Sequence, residues 1–536
     1  MTSAINKVDR SELLDQFETQ DFDVLIIGGG ITGAGILREA SKAGLRALLL
    51  EADDFASGTS SKSTKLIHGG LRYLAMGHIH VVREAARERK RVNQLAPHLA
   101  EPKWLMVPAA NRFELLKYQI GITAYEYLGQ VDKADRHRSL SGASLRDYEP
   151  TLNTQRFPYA VIYREYLTDD ARLVLANIRA GLQAGSYALN QAKVDQLLYS
   201  DDQVVGASAV CGVTQRRFEV NAKVVINAAG PWVEQVCKLD SSDASPQMIL
   251  SRGVHVVVRH SLLPVTEPIF MVGDDGRPVF VVPKGDVVYI GTTDDLHEGG
   301  AEFWPEVTKQ DIDYLVKTVD VHFDVKIEAQ DCLTTWAGLR PLISESGKST
   351  REVSRKDEVW QSKAGLVTIA GGKLTGYRKM AEDTLSVVSN KLALPVPDSE
   401  PEVPLPGGNF SVSLTELSED IAQRWQLSEP IAYRLVRLYG SETNDVLDLG
   451  HNPIVTNGKI LTGEIHWGVQ HEFALSLEDV LYRRTRAAVY EPKETHKLLE
   501  PVSQLLKEYF GWTEDDRQAQ IQHLIERLEQ DGNLPL

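Results

Sequence analysis

The first clear pattern in the chain is an apolar run, Val24-Leu25-Ile26-Ile27, that passes without a polar break into three glycines. A short unbroken apolar run of this kind reads as a strand covered on both faces, as in a parallel sheet. Ile31 to Ala43 is helical in composition, Gly44 suits a helix stop, and Leu45 to Leu50 is a second apolar strand ending at Glu51. The order strand, helix, strand predicts a nucleotide-binding βαβ unit. Further apolar runs recur between turn residues, at Val204 to Val210, Val224 to Ile226, His255 to Val258, Val279 to Val282, Val287 to Ile290 and Leu366 to Ile369. Many are β-branched, so the middle of the chain should hold a second, mostly antiparallel sheet. From about Leu394 the text turns rich in proline and acid, as a linker does, and from Leu414 it is polar with helical periodicity, ending in a charged helix around Asp515 to Gln530. Ile421 to Tyr439 has the outline of a helix-turn-helix, but acidic flanks favour an ordinary αα-hairpin.

Composition narrows this picture. A chain of 536 residues exceeds one ordinary core, and a net charge of −16 argues against nucleic acid as partner, because a phosphate backbone is met by a basic surface. The first twenty residues alternate charges without an apolar core, so no secretory signal is expected and the chain is read as cytoplasmic. No run of about 18 apolar residues is present, so any membrane contact is expected to be peripheral. Cys211, Cys237 and Cys332 are far apart and imply neither a disulfide framework nor a metal site.

The chemistry starts at Gly28-Gly29-Gly30-Ile31-Thr32-Gly33. This G-x-G-x-x-G spacing lets the chain turn tightly and brings backbone N–H groups to a pyrophosphate at a helix N-terminus. Glu51, at the end of the second strand, is placed to accept hydrogen bonds from ribose hydroxyls. FAD and NAD share this device. Val224 to Trp232, containing Ala229 and Gly230, resembles the second dinucleotide-contact segment of flavoproteins related to D-amino-acid oxidase. Gly371-Gly372 follows a third strand and opens a helix through Lys373 and Thr375, where positive potential suits a reduced flavin. Elements spread this widely suit FAD, although each later one alone also reads as a structural turn.

Five segments now combine: Asp54 to Ser61, Lys65 to Leu74, Ile290 to Asp294, Gly338 to Leu342 and Gly371 to Arg378. In this order they resemble the motifs of the FAD-dependent, quinone-linked glycerol-3-phosphate dehydrogenases, over roughly residues 20 to 390, and Leu477 to Arg486 carries the likeness into the C-terminal part. One departure is Gly376, where the family's motif has a threonine, so no hydroxyl contact is expected there. The resemblance implies that Arg72 and Arg340 hold a phosphate, with His68, Tyr73, Thr293 and Lys373 around the substrate. It adds Ser60, Ser61, Lys65, Leu66, His68, Gly69, Val194 and Leu374 to the cofactor contacts. Independently of the family, guanidinium forks are what a phosphate dianion requires. Alcohol oxidation also needs a base. His255, in Arg252-Gly253-Val254-His255, is the expected base, with His68 orienting the hydroxyl, though the two could exchange roles.

The expected fold is α/β: a Rossmann-like FAD-binding domain (20–75, 150–235, 350–390) interleaved with a mostly antiparallel substrate domain (76–149, 236–349), a linker (391–410) and a helical cap (411–536). The cap's polar helices suit a homodimer face as well as a lid. The resemblance implies oxidation of sn-glycerol 3-phosphate to dihydroxyacetone phosphate, with electrons passed to a membrane quinone. The alternatives are an α-glycerophosphate oxidase using oxygen, an amine or amino-acid oxidase of the same fold, and a flavin-binding regulator without catalysis. Two segments are candidates for peripheral contact with the inner face of the cell membrane: His78 to Asn93 and Phe113 to Leu128.

Overall fold

The computed structural model describes residues 7–69, 79–240, 248–344, 358–394 and 403–532. Its first sheet is ordered Glu358–Gln361, Val367–Ala370, Arg217–Asn227, Phe22–Ile27, Ala47–Leu50 and Tyr187–Leu189. Phe22–Ile27 is parallel to both neighbours, with Ile26 opposite Ile226 and Leu49. Val24, Leu25, Ile26, Leu48 and Leu49 have no exposed surface, each contributing about 1.5–3 kcal/mol by burial. Burial on both faces explains why these strands read as unbroken apolar runs. Helices Ile31–Lys42, Asp170–Gln183 and Tyr377–Leu392 pack together over one face. On the other side, the N-terminal helix Lys7–Thr19 buries Leu14 and Phe17 against the sheet and its Ala192–Ser200 and Gln203–Cys211 extension.

The second sheet is built on Met248–Arg259, which pairs antiparallel with Asp295–His297, Val287–Gly291 and Thr334–Ile343. It continues through Pro278–Lys284, Ile269–Val272, Ala100–Ala109, Tyr159–Thr168 and Leu66–Ile67. Here two expectations are corrected. Tyr159–Thr168 lies in this sheet, because it pairs with Ala100–Ala109 over their full length, so the boundary expected at residue 150 does not separate the sheets. Conversely, the runs at 204–210, 224–226 and 366–369 belong to the first sheet, where Arg217–Asn227 is antiparallel to Gln203–Cys211 at its start and parallel to Phe22–Ile27 at its end.

The C-terminal part is helical from Leu414–Trp425 to Glu514–Gln530. Leu414–Trp425 and Glu429–Tyr439 form an αα-hairpin with its own small core. Val480, Leu481, Leu498 and Leu524 instead share a core with Leu66, Tyr289 and Trp336 of the second sheet. Two bidentate ion pairs, Arg172–Glu472 and Arg179–Glu442, join helix Asp170–Gln183 to this cap. Among the described residues no helix is long and apolar enough to cross a membrane.

Candidate active site

The strand Phe22–Ile27 delivers its glycines to the carboxyl end of the first sheet. Gly28 has φ +113°, which a residue with a side chain rarely adopts, and its N–H donates to Leu50 O at 2.9 Å. A Cβ on Gly28 would stand 2.6 Å from Ala228 O, and one on Gly33 would stand 1.9 Å from Gly28 O. The helix Ile31–Lys42 therefore approaches the turn as closely as backbone can. Gly30 begins it in extended conformation without a side-chain cap, and the Ile31 N–H donates to Ser60 Oγ at 3.0 Å. Thr32 is half-buried in its first turn. A helix start whose N-cap residue is a glycine, with glycines cleared to the backbone, fits a pyrophosphate, and the residues present thus fit a bound dinucleotide.

Glu51 caps the second strand. Its carboxylate accepts the Gly29 N–H at 2.6 Å and the Asp53 N–H at 2.9 Å, yet burial pushes its pKa up to about 7. Ala192 donates to Glu51 O, which sets Val194 two residues along the adjoining strand. Ala229 follows Asn227, whose side chain accepts its N–H at 3.2 Å, and Gly230 turns with φ +56°. Gly371 and Gly372 both have positive φ and lead to half-buried Lys373, to Leu374, packed on the first-sheet core, and to Thr375. The Thr375 hydroxyl donates to His68 O at 3.2 Å. The third glycine element and the His68 segment are thus brought together.

Arg340 lies on Thr334–Ile343 opposite Ser251, its side chain 24% exposed. Its guanidinium donates to Thr292 Oγ1 at 2.8 Å and to Asp294 Oδ1 at 3.1 Å. It spreads over Gly253, where a Cβ would meet Nη2 at 2.3 Å. A fork fixed in this way is pre-oriented for an oxyanion.

His255, on the neighbouring strand, is buried against the ring of Trp336, with centroids 4.8 Å apart and planes 11° from parallel. Its Nε2 lies 3.0 Å from Thr64 Oγ1, while Nδ1 is buried and has no hydrogen-bond partner among the described residues. Burial first, then the charges of Lys65 and Arg340, hold its pKa well below the usual histidine value, so the ring is neutral at pH 7. The tautomer that gives Nε2–H to Thr64 leaves a lone pair on Nδ1. His68 is half-buried near Phe280.

Several expected side chains do other work. Lys65 turns its ammonium into the interior, onto Ser61 O at 2.9 Å and Asp170 at 3.1 Å, so its side chain holds the fold together. Leu66 is a core residue of a strand paired with Leu167. The Thr293 hydroxyl accepts the Val254 N–H at 3.1 Å and is buried, so Thr292 supplies the hydroxyl at Arg340 in its place. Arg72 and Tyr73 lie outside the described residues. Beside His68, the Gly69 N–H donates to Glu165, which Arg89 grips at 2.9 Å and Tyr125 meets at 3.1 Å. Sequence reasoning missed Thr64, Thr292, Arg89, Tyr125 and Glu165. Thr292 stands inside the motif Ile290 to Asp294, where the resemblance points to its neighbour Thr293 instead; nothing local marks the others, since each acts on a partner brought in from elsewhere in the fold.

Residues 23–378 match the family described as FAD dependent oxidoreductase, and residues 401–517 match the C-terminal domain of alpha-glycerophosphate oxidase. The aerobic glycerol-3-phosphate dehydrogenase of Bacillus subtilis (strain 168) is 34% identical over the whole of both chains. The solved glycerol-3-phosphate dehydrogenase from Bacillus halodurans complexed with FAD is 32% identical, with a TM-score of 0.81 over 98% of each chain. The L-alpha-glycerophosphate oxidase from Mycoplasma pneumoniae, at 19% identity and TM-score 0.57 over 74% of this chain and 99% of that one, shares the fold. A nucleotide cradle of this shape, joined to likeness along the full chain, shows that the protein belongs to the FAD-dependent oxidoreductases and, within them, to the family of aerobic glycerol-3-phosphate dehydrogenases.

Proposed function

We propose that this protein oxidises sn-glycerol 3-phosphate to dihydroxyacetone phosphate and passes the two electrons to a membrane quinone. The observation that carries the substrate is Arg340, a guanidinium pinned by Thr292 and Asp294 over a glycine that leaves it room. Arg340, together with Arg72, binds the phosphate dianion and so places the C2 hydroxyl. Bound FAD supplies the hydride-accepting chemistry that no side chain possesses. His255, neutral by burial and with Nδ1 unpartnered among the described residues, takes the hydroxyl proton, while His68 orients the hydroxyl and Lys373 supports developing negative charge. The test is anaerobic stopped-flow absorbance of the yellow protein mixed with sn-glycerol 3-phosphate. Rapid bleaching of the flavin band is expected, with reoxidation on adding a soluble quinone. Bleaching by glycine or a D-amino acid instead overturns the substrate, and rapid reoxidation by oxygen alone overturns the quinone.

The membrane contact is proposed for helix Arg112–Leu128. Phe113, Leu116, Ile120 and Tyr127 are 77%, 53%, 63% and 84% exposed, and their spacing places them along one face. Arg112 and Lys117 stand exposed on the same helix, a composition suited to the boundary of anionic lipid. The other segment, in helix Ile79–Leu95, buries Ala86, Val92 and Leu95 in the protein and is set aside. Ile120→Glu is expected to reduce cosedimentation with anionic phospholipid vesicles at least about tenfold, because burying an acid in lipid costs more than 1.4 kcal/mol. Its flavin reduction by substrate should be unchanged. Undiminished cosedimentation would remove this helix from the contact.

A further inference from the structure

Where the cap meets the first sheet, three arginines of one short segment are buried with the carboxylates they hold. Asp54 receives Arg483 Nε at 2.5 Å and both terminal nitrogens of Arg484 at 2.6 and 2.7 Å. Arg486 Nη2 donates to Ser61 O and to Asp170 Oδ1, both at 3.1 Å, and its Nε lies 3.3 Å from Asp169. The second oxygen of Asp170 accepts the N–H and hydroxyl of Ser63 at 3.0 and 2.7 Å and the Lys65 ammonium at 3.1 Å. Asp54, Asp170, Arg483, Arg484 and Arg486 are each 1% exposed or less.

The backbone is shaped for this arrangement. Residues 479–484 are wound wider than an α-helix, with the Thr485 N–H reaching back to Val480 O, and Arg486 follows with φ +62°. A left-handed residue with a side chain costs energy, and so does burying guanidinium groups, which seldom adds net stability over apolar packing. What such a set fixes is register. Its partners, Asp54 at one end and Ser61 to Lys65 at the other, bracket the loop that carries Ser60, whose Oγ accepts the Ile31 N–H at the start of the pyrophosphate helix. A contact from residue 486 thus ends one hydrogen bond away from the dinucleotide cradle.

We infer that Arg483, Arg484 and Arg486 are positioning residues of the FAD site, through which the C-terminal cap holds the loop 54–65 in the conformation that retains the cofactor. The cap on this view belongs to the flavin site, beyond any service as lid or oligomer face. The inference rests on FAD as the cofactor and is independent of the substrate and of the electron acceptor.

The experiment follows FAD release from the holoenzyme by the fluorescence that free flavin regains on dilution. Arg486→Gln is compared with Arg434→Gln, which breaks a largely buried Arg–Glu pair lying wholly within the cap, to Glu464. Thermal midpoints of both are read in saturating FAD. Release is expected to be at least about tenfold faster than the parent's in Arg486→Gln and within about twofold of it in Arg434→Gln, at comparable thermal midpoints. Should Arg486→Gln not yield folded protein, Arg486→Lys is read in the same way: one ammonium cannot replace three guanidinium nitrogens that reach Tyr482 O, Asp169 and the Ser61–Asp170 pair, so release is again faster. Parental release from the Arg486 variants, or equal acceleration by Arg434→Gln, overturns the assignment.

Discussion

Gly33→Ala yields protein that retains less than about a tenth of the parent's flavin after desalting, since displacing the pyrophosphate helix costs upwards of 1.4 kcal/mol of binding. The added Cβ would stand 1.9 Å from Gly28 O, a contact with backbone that no rotamer relieves. Gly28 cannot give way, because its N–H is held by Leu50 O and its own Cβ position faces Ala228 O at 2.6 Å. The helix has to move instead, and with it the Ile31 N–H that Ser60 accepts. Gly44→Ala is the control. It has positive φ, +76°, but nothing lies within 4 Å of the new methyl, so it costs about 1–2 kcal/mol of local strain and keeps its flavin. The ratio of flavin to protein absorbance decides. A Gly33→Ala protein with the parental ratio sinks the close-approach argument.

The cradle was legible from sequence because its physics is local. An apolar run, glycines at fixed spacing and an acid at the next strand end lie within residues 22–51, and each answers to a neighbour in the chain. Sheet membership was not local in this sense. Val204–Val210 reads as a strand without showing its sheet, and Tyr159–Thr168 is placed by a domain boundary alone; only pairing with Arg217–Asn227 and with Ala100–Ala109 assigns them. The same limit explains the site residues. Thr292 and Thr293 are adjacent hydroxyls, and which one meets Arg340 depends on how Ile290 to Asp294 leaves its strand beside Gly253. Lys65 stands in a cofactor motif, yet Asp170 offers its ammonium a buried partner that the motif does not reveal. Leu477 to Arg486 carries the family likeness, but what its arginines hold shows only once the carboxylates of Asp54 and Asp170 are placed against them.

Arg340→Ala is expected to lower kcat/KM for sn-glycerol 3-phosphate by roughly 30- to 1,000-fold, the effect of about 2–4 kcal/mol from losing a charge-assisted fork to a dianion. Two terms add. The phosphate loses its donors, and Asp294, whose charge Arg340 offsets at 3.1 Å, repels the same anion more strongly. Arg340→Lys should therefore recover less than about tenfold, because one ammonium cannot both answer Asp294 and present two parallel N–H groups. Gly253→Ala should err in the same direction without touching the arginine, since its methyl would stand 2.3 Å from Nη2 and push the guanidinium off its seat. None of the three changes a contact of the nucleotide cradle, so flavin content stays parental and the loss appears in anaerobic flavin reduction, as a higher half-saturating substrate concentration, a slower limiting rate, or both. If Arg340→Ala reduces its flavin with parental substrate dependence, the phosphate is held elsewhere, and the fork at Thr292 and Asp294 is a strand brace; if Gly253→Ala alone is unaffected, the guanidinium binds phosphate from a different pose.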